Sequence, residues 1–223
     1  VDSEYILGLL RQDNDITIVD DINNSDAIFI NTCGFINDAK QEAIDTIFSV
    51  LNEKKENAYV IVIGCLAKRY KKVLQEEIPE IDLIVGVDEY GNIGEQLNNL
   101  FNYNLPKTYD PLKRSLSNPL PVAYLKIGEG CSNRCAYCAI PLIRGDYYSF
   151  KKELIIEDAK RLISLGKKEI IVIAQDPTRY GKDIYEDYGI EELMDELAKL
   201  DSSVYYRVLY LYPDRITDKL IDV

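Results

Sequence analysis

Cys131, Cys135 and Cys138 stand at C-x3-C-x2-C spacing in the stretch Cys131-Ser132-Asn133-Arg134-Cys135-Ala136-Tyr137-Cys138. Three thiolates so spaced can hold three irons of a cube-shaped [4Fe–4S] cluster. The fourth iron stays open, because Ala139-Ile140-Pro141-Leu142-Ile143-Arg144-Gly145 offers neither Cys nor His. An open iron can bind a reactant, and that is the chemistry expected of this loop. Zinc is the competing reading, but a structural zinc takes four N or S ligands, and the chain has no His and no fourth Cys nearby. A disulfide framework fits less well, since five Cys is an odd number and no secretory leader is read at the start.

The other two Cys follow predicted strands. Ala27-Ile28-Phe29-Ile30 runs into Asn31-Thr32-Cys33-Gly34, and Tyr59-Val60-Ile61-Val62-Ile63 runs into Gly64-Cys65. Both are continuous apolar runs of the kind found in parallel sheets buried on two faces. Ligands of open parallel sheets gather outside the carboxyl ends of the strands, so Cys33 and Cys65 are placed to share one crevice. Gly34 and Gly64 would let backbone amides approach a cluster there. Two thiolates do not close a [4Fe–4S] site, and a buried Cys is often only a small apolar side chain, so both readings stand on the residues alone.

The elements that must position these residues alternate. In residues 1–101 the spacing of Tyr5, Ile6, Leu9 and Leu10 predicts a helix over 3–12, with Asp2 or Ser3 as its cap. Ile16-Thr17-Ile18-Val19 reads as a short strand. Ile36, Ala39, Ala43, Ile44, Ile47, Phe48 and Leu51 define the apolar face of a long helix. A helix over 67–77, a strand over 83–86 and a helix over 93–101 complete a flavodoxin-like α/β parallel-sheet domain, whose first strand is expected to precede Val1. Pro106, Pro111, Pro119 and Pro121 mark residues 102–121 as an extended linker.

Residues 122–223 begin with a strand over 122–127, and Gly128-Glu129-Gly130 turns it into the cysteine loop. A helix bearing Ala159, Leu162 and Ile163 stops at Gly166, followed by a strand over 169–174, the polar turn 175–181, a helix over 190–200, a strand over 204–211 and a helix from about 214. This β-α-β-α-β order predicts the first half of a (β/α) barrel, whose site residues collect at the C-terminal strand ends. Gln175 and Asp176 lie at such an end and are candidates to bind a cofactor or substrate; an Asx-turn or capping role is the alternative for Asp176.

The totals allow two modest domains, with 223 residues, 47% hydrophobic and 29% charged. A formal charge of −12 argues against a broad non-specific grip on nucleic acid and favours a basic protein partner. No apolar run has the length of a membrane span, and the expected location is the cytoplasm, whose reducing state suits thiolate ligands. A start at Val1 without Met and an end inside a predicted helix lead to the expectation of a fragment.

With both domains in view, the chain resembles the radical S-adenosylmethionine (SAM) methylthiotransferases. The resemblance rests on Asn31-Thr32-Cys33-Gly34-Phe35-Ile36 and Gly64-Cys65-Leu66, joined to Cys131-x3-Cys135-x2-Cys138 and Ile140-Pro141-x-Ile143-Arg144-Gly145. It implies that SAM chelates the open iron of the Cys131/Cys135/Cys138 cluster and is cleaved to a radical that takes hydrogen from an unactivated C–H bond. It also implies a second [4Fe–4S] cluster in the N-terminal domain that supplies sulfur, with Cys33 and Cys65 as two of its three ligands; the family's first Cys has no counterpart here. A second SAM would supply the methyl group, and a separate electron donor is required. No side chain is expected to act as acid or base.

Thr32-Cys33-Gly34-Phe35-Ile36-Asn37-Asp38-Ala39-Lys40, Gln175-Asp176-x-Thr178-x-Tyr180-Gly181 and Leu209-Tyr210-Leu211-Tyr212-Pro213 resemble the branch that modifies the β-carbon of an aspartate in a small-subunit ribosomal protein. The tRNA-adenosine branch is the alternative, and a non-catalytic iron–sulfur or zinc module is the alternative from another class. Tyr137 is expected either to pack on the adenine of SAM or to serve as ordinary loop packing. Within residues 122–223, Ser149-Phe150 and Pro177 depart from the usual residues of the family.

Overall fold

The computed structural model describes residues 1–101 and 103–222; Asn102, first residue of the expected linker, and Val223, last of the expected second domain, lie outside the described residues. In chain order the elements are α1 (Asp2–Leu10), β1 (Ala27–Thr32), α2 (Asn37–Glu53), β2 (Tyr59–Gly64), α3 (Cys65–Glu77), β3 (Leu83–Gly86) and α4 (Ile93–Phe101). They continue with β4 (Val122–Lys126), β5 (Gly128–Glu129), α5 (Ile140–Arg144), β6 (Tyr148–Ser149), α6 (Lys152–Ser164), β7 (Glu169–Ile173), α7 (Ile190–Ala198), β8 (Tyr205–Val208) and α8 (Asp218–Asp222). The chain divides into two compact units. One is Tyr5–Arg114 with Tyr137–Arg144; the other is Ser115–Ala136 and Gly145–Val223 with Val1–Glu4.

The first unit is built on a parallel sheet of order β1-β2-β3. Its central strand, β2, is apolar at every position from Val60 to Ile63 because both of its faces are covered. Alternation along the strand assigns the faces. Val60 and Val62 pack with Ala43, Ile47, Val50, Leu66 and Leu74 of α2 and α3. Ile61 and Ile63 pack with Ile6, Leu9, Ile93 and Leu97 of α1 and α4. Helices on both faces of a parallel sheet are the α/β arrangement expected for this half of the chain.

Two local expectations are corrected. Residues 16–19 form no strand: Ile16 packs at the margin of the core, whereas Ile18 and Val19 are exposed. An apolar run of this length makes a strand only where a neighbour completes its backbone hydrogen bonds, and among the described residues β1 pairs with β2 alone. The buried stripe of α2 is also narrower than its periodicity suggests, with Ile36 and Phe48 exposed. The proline-bearing stretch after α4 is anchored where it is described, since Asn98 exchanges two 2.8 Å hydrogen bonds with the backbone of buried Leu105.

The second unit carries a parallel sheet of order β4-β7-β8. Ala123 and Leu125 of β4 and Ile170 and Val172 of β7 share one core with Ile155, Ala159 and Leu162 of α6 and Leu193 and Leu197 of α7. Gly166 ends α6 with φ +80°; its N–H reaches Ile163 O, and Lys167 N–H reaches Leu162 O, the paired bonds of a Schellman stop. β5 and β6 form a short antiparallel ladder, Gly128 opposite Ser149 and Glu129 opposite Tyr148. This ladder brackets the segment that contains the cysteine loop, and a sequence reading that made Gly128-Glu129-Gly130 a simple turn did not foresee it. Both halves are thus α/β with parallel sheets, as expected of a flavodoxin-like domain followed by a partial barrel.

Candidate metal centre

Cys131 follows Gly130, whose φ of +73° and closeness to the Asp146 backbone suit only a residue without Cβ. Cys131 N–H donates to Gly145 O at 3.1 Å, so both ends of the loop are tied together. Each residue between Cys131 and Cys135 is then held by its side chain. Ser132 Oγ accepts from Tyr147 N–H at 3.0 Å. Arg134, at φ +49°, donates to both oxygens of Asp146 at 2.9 and 3.1 Å. Asn133 Oδ1 accepts from Arg179 Nη2 and Arg215 Nη2, each at 2.8 Å, and its Nδ2 donates to Asp176 Oδ2 at 2.8 Å.

Those partners come from the carboxyl ends of the other two strands. Asp176 and Arg179 follow β7, and Arg215 follows β8. Asp176 is fully buried, accepting from Arg215 Nη1 at 2.6 Å, Arg179 Nε at 3.2 Å and the Thr178 hydroxyl. A carboxylate removed from water requires such charged partners. Cys131 is buried, Cys135 and Cys138 are half-buried, and Cys135 Sγ lies 3.7 Å from the Tyr212 hydroxyl.

In the first unit, the register of β1 and β2 sets Thr32 beside Gly64, so that Cys33 and Cys65 follow at the same end of adjacent strands. The approach is close: a Cβ on Gly34 would fall 2.8–2.9 Å from the Cys65 and Leu66 backbone, and one on Gly64, at φ +106°, 2.5 Å from Thr32 O. Thr32 Oγ1 donates to Ile63 O at 2.6 Å and Arg69 Nη1 to Gly34 O at 2.9 Å, which fixes the Thr32-Cys33-Gly34 corner. Cys33 is exposed and Cys65 is buried at the start of α3. Helix α5, from the segment after Cys138, packs beside α3 in this unit, and Arg144 Nη2 reaches Cys65 Sγ at 3.3 Å.

No disulfide joins the five Cys, and among the described residues no three Cys, Asp or Glu side chains converge as they would around a single ion. Thiolates on a cube each take a different iron and do not meet at one point. Cys131 and Cys135 stand on a tethered segment, and with Cys138 next in sequence and no imidazole in the chain to compete, the donor types are those a [4Fe–4S] cluster with an open iron takes. Cys33 and Cys65 supply only two donors to the first unit's site. Of the other residues singled out in the sequence, Tyr137 is 93% exposed, and Gln175 keeps a buried Oε1 with no hydrogen-bond partner among the described residues. Asn133, Arg215 and the Arg144 contact with Cys65 were not anticipated. Their partners lie 43 or more residues away for Asn133 with Asp176, and 79 for Arg144 with Cys65, so no local pattern links them.

Residues 1–86 match the Uncharacterized protein family UPF0004, and residues 125–222 match the Radical SAM superfamily. Along the chain the match to UPF0004 thus precedes the match to the Radical SAM superfamily, each over less than half of the residues. More particularly, the chain is similar to curated proteins named Ribosomal protein uS12 methylthiotransferase RimO. That of Clostridioides difficile is 46% identical over 240 residues, which cover 100% of this chain and 52% of that protein. The proteins of Clostridium novyi, 44% identical over 231 residues, and Desulforamulus reducens, 47% identical over 232, match over 52% of their own lengths. The chain spans about half the length of the curated relatives it matches.

Proposed function

We propose that this chain is the cluster-bearing part of a radical-SAM methylthiotransferase that modifies an aspartate β-carbon in a small-subunit ribosomal protein. The observation that carries the reading is the Cys131–Cys135 loop, tethered at every intervening residue beside the carboxyl ends of β7 and β8. Similarity over the full chain to proteins named for that reaction supports the substrate. Residues 1–101 would form the sulfur-donating domain, 102–121 the connection and 122–223 the radical-SAM part.

Cys131, Cys135 and Cys138 would hold a [4Fe–4S] cluster, and Cys33 and Cys65 two corners of a second. When bound, the first cluster supplies the electron that cleaves SAM to a radical, chemistry that no side chain can provide at an unactivated C–H bond. The protein supplies position. Asn133, Ser132 and Arg134 hold the loop so that its thiols need not be ordered when a cluster arrives. Gln175 Oε1, buried without a partner among the described residues, is ready to accept a hydrogen bond from a bound nucleoside or substrate N–H or O–H. Tyr137, exposed, offers a ring face to an adenine. Arg144 directs a charged donor at Cys65 Sγ, where a hydrogen bond to sulfur favours electron density on that atom. No helix among the described residues is long and apolar enough to cross a membrane, and we place the reaction in the cytoplasm, where thiols stay reduced.

The test is anaerobic reconstitution of the complete protein with iron, sulfide, SAM, a reductant and the ribosomal protein, followed by mass analysis of that protein and of tRNA. A methylthio group on the aspartate with unmodified tRNA is expected. Methylthio-adenosine in tRNA instead would transfer the assignment to the other branch.

A further inference from the structure

The carboxylate of Asp176 has no access to solvent, and each of its oxygens is engaged. Oδ2 takes Asn133 Nδ2, Arg179 Nε and Arg215 Nη1, and Oδ1 takes the Thr178 hydroxyl. A ligand arriving from solvent would have to displace one of these partners to reach it. Although Asp176 precedes a short 3-10 turn at Pro177–Arg179, its carboxylate makes no capping bond to that turn. Neither ligand contact nor capping describes what it does. Its two guanidinium partners do, because each forks: Arg179 and Arg215 bond Asp176 with one nitrogen and Asn133 Oδ1 with another. Asn133 closes the ring by donating back to Asp176. Arg215 also stacks 4.9 Å over the ring of Tyr212, whose hydroxyl meets Cys135 Sγ.

We propose that Asp176 is a positioning residue for the Cys131–Cys135 loop: by clamping Arg179 and Arg215 onto Asn133 it fixes the thiols before a cluster is loaded. The inference rests on the cluster reading for what the thiols hold, but not for the clamp itself. Without the carboxylate, two like charges face one another across Asn133, and the cause of their convergence is gone. The arrangement also recruits the ends of β7 and β8, so the loop after β4 is ordered only when all three strand ends are in place.

The test uses the complete protein with Asp176→Asn, Asn133→Ala and the double variant. Hydrogen exchange of residues 131–136 is measured in the iron-free protein, and iron release to a chelator in the reconstituted one. Loss of a charge-assisted hydrogen bond corresponds to roughly a ten- to hundredfold change. Each single variant is therefore expected to speed loop exchange and iron release by about tenfold or more. The double variant should be no faster than the quicker single one. SAM affinity per intact cluster should not change. A purely structural Asp176 would lower the unfolding temperature but leave loop exchange, measured well below it, as in the wild type, and that result would overturn the proposal. So would additive effects of the two substitutions, or a weakened SAM affinity with normal iron release. Should Asp176→Asn fail to fold, Asn133→Ala with Arg215→Lys carries the same comparison, since the single ammonium of Lys lacks the fork that bridges Asp176 and Asn133 and is expected to free the loop. A wild-type protein that takes up no iron on Cys131, Cys135 and Cys138 would refute the cluster reading, while the exchange measurement would still decide on the clamp.

Discussion

Gly130 and Gly145 flank the cysteine loop, both with left-handed backbones, φ +73° and +76°, and they offer a controlled comparison. Alanine at either site incurs the conformational cost of that region, about 1–2 kcal/mol. Their surroundings differ. A Cβ at Gly145 meets nothing within 4 Å, whereas one at Gly130 would lie 2.3 Å from Asp146 O and 2.8 Å from Gly145 O. Real contacts stay beyond 3.0 Å, so the 145–146 backbone must retreat by at least 0.7 Å. That retreat strains the 3.1 Å bond from Cys131 N–H to Gly145 O, worth about 1 kcal/mol, and moves the Asp146 anchor of Arg134. Gly145→Ala is therefore expected to cost about 1–2 kcal/mol and Gly130→Ala about 2 kcal/mol more, a further drop of about 4–8 °C in Tm for a chain of this size. Thermal unfolding of the iron-free protein measures the stability difference, and iron per chain after anaerobic reconstitution reads the loop. Gly145→Ala should keep the iron of the Cys131/Cys135/Cys138 site, and Gly130→Ala should lose most of it. Equal midpoints, or equal iron in the two variants, would show that the closeness of the Asp146 backbone does not constrain the loop.

Replacing Cys131, Cys135 and Cys138 together by Ala should abolish SAM cleavage while iron bound in the N-terminal domain of the complete protein persists; loss of all iron from a folded triple variant would contradict two separate sites. In the iron-free protein, exposed Cys33 should alkylate well before buried Cys65, and Arg144→Ala, which removes the cationic donor 3.3 Å from Cys65 Sγ, should slow Cys65 alone, because a neighbouring cation favours the nucleophilic thiolate. Peptide mass mapping decides this, and an unchanged Cys65 rate would count against the contact. Burial pushes Tyr206 up to about 12 and raises Tyr147, Tyr180 and Tyr188 further, because the phenolate is poorly solvated there. Unfolded tyrosines ionise near pH 10, so the stability these four contribute is complete below about pH 10 and is lost as the pH rises towards 12 and beyond. A phenolate absorbance titration alongside circular dichroism should show them ionising only as the fold opens. Ionisation of all 17 tyrosines by about pH 11 with the dichroism intact would refute it.

Much of this protein is written locally. Continuous apolar residues from Val60 to Ile63 specify a strand covered on both faces, and Gly166 stops α6 with the bonds its lack of Cβ permits. The spacing of Cys131, Cys135 and Cys138 suggests a cluster chemistry without any fold, because ligand type and separation are properties of the chain itself. That Cys33 and Cys65 end neighbouring strands was also legible, since parallel strands joined by helices deliver their carboxyl ends to one side. What the sequence did not contain is which distant groups meet. Ile16–Val19 has strand composition yet finds no pairing neighbour, and Phe48 has helical spacing yet faces solvent. The two-residue strands β5 and β6 carry no periodicity to read. Asp176 looks like one more polar turn residue until strand order brings Arg215, 39 positions on, against it. Burying a carboxylate is possible only where cations converge, and convergence is a property of the assembled strand ends, so tertiary structure alone decided that Asp176 clamps the loop of Asn133.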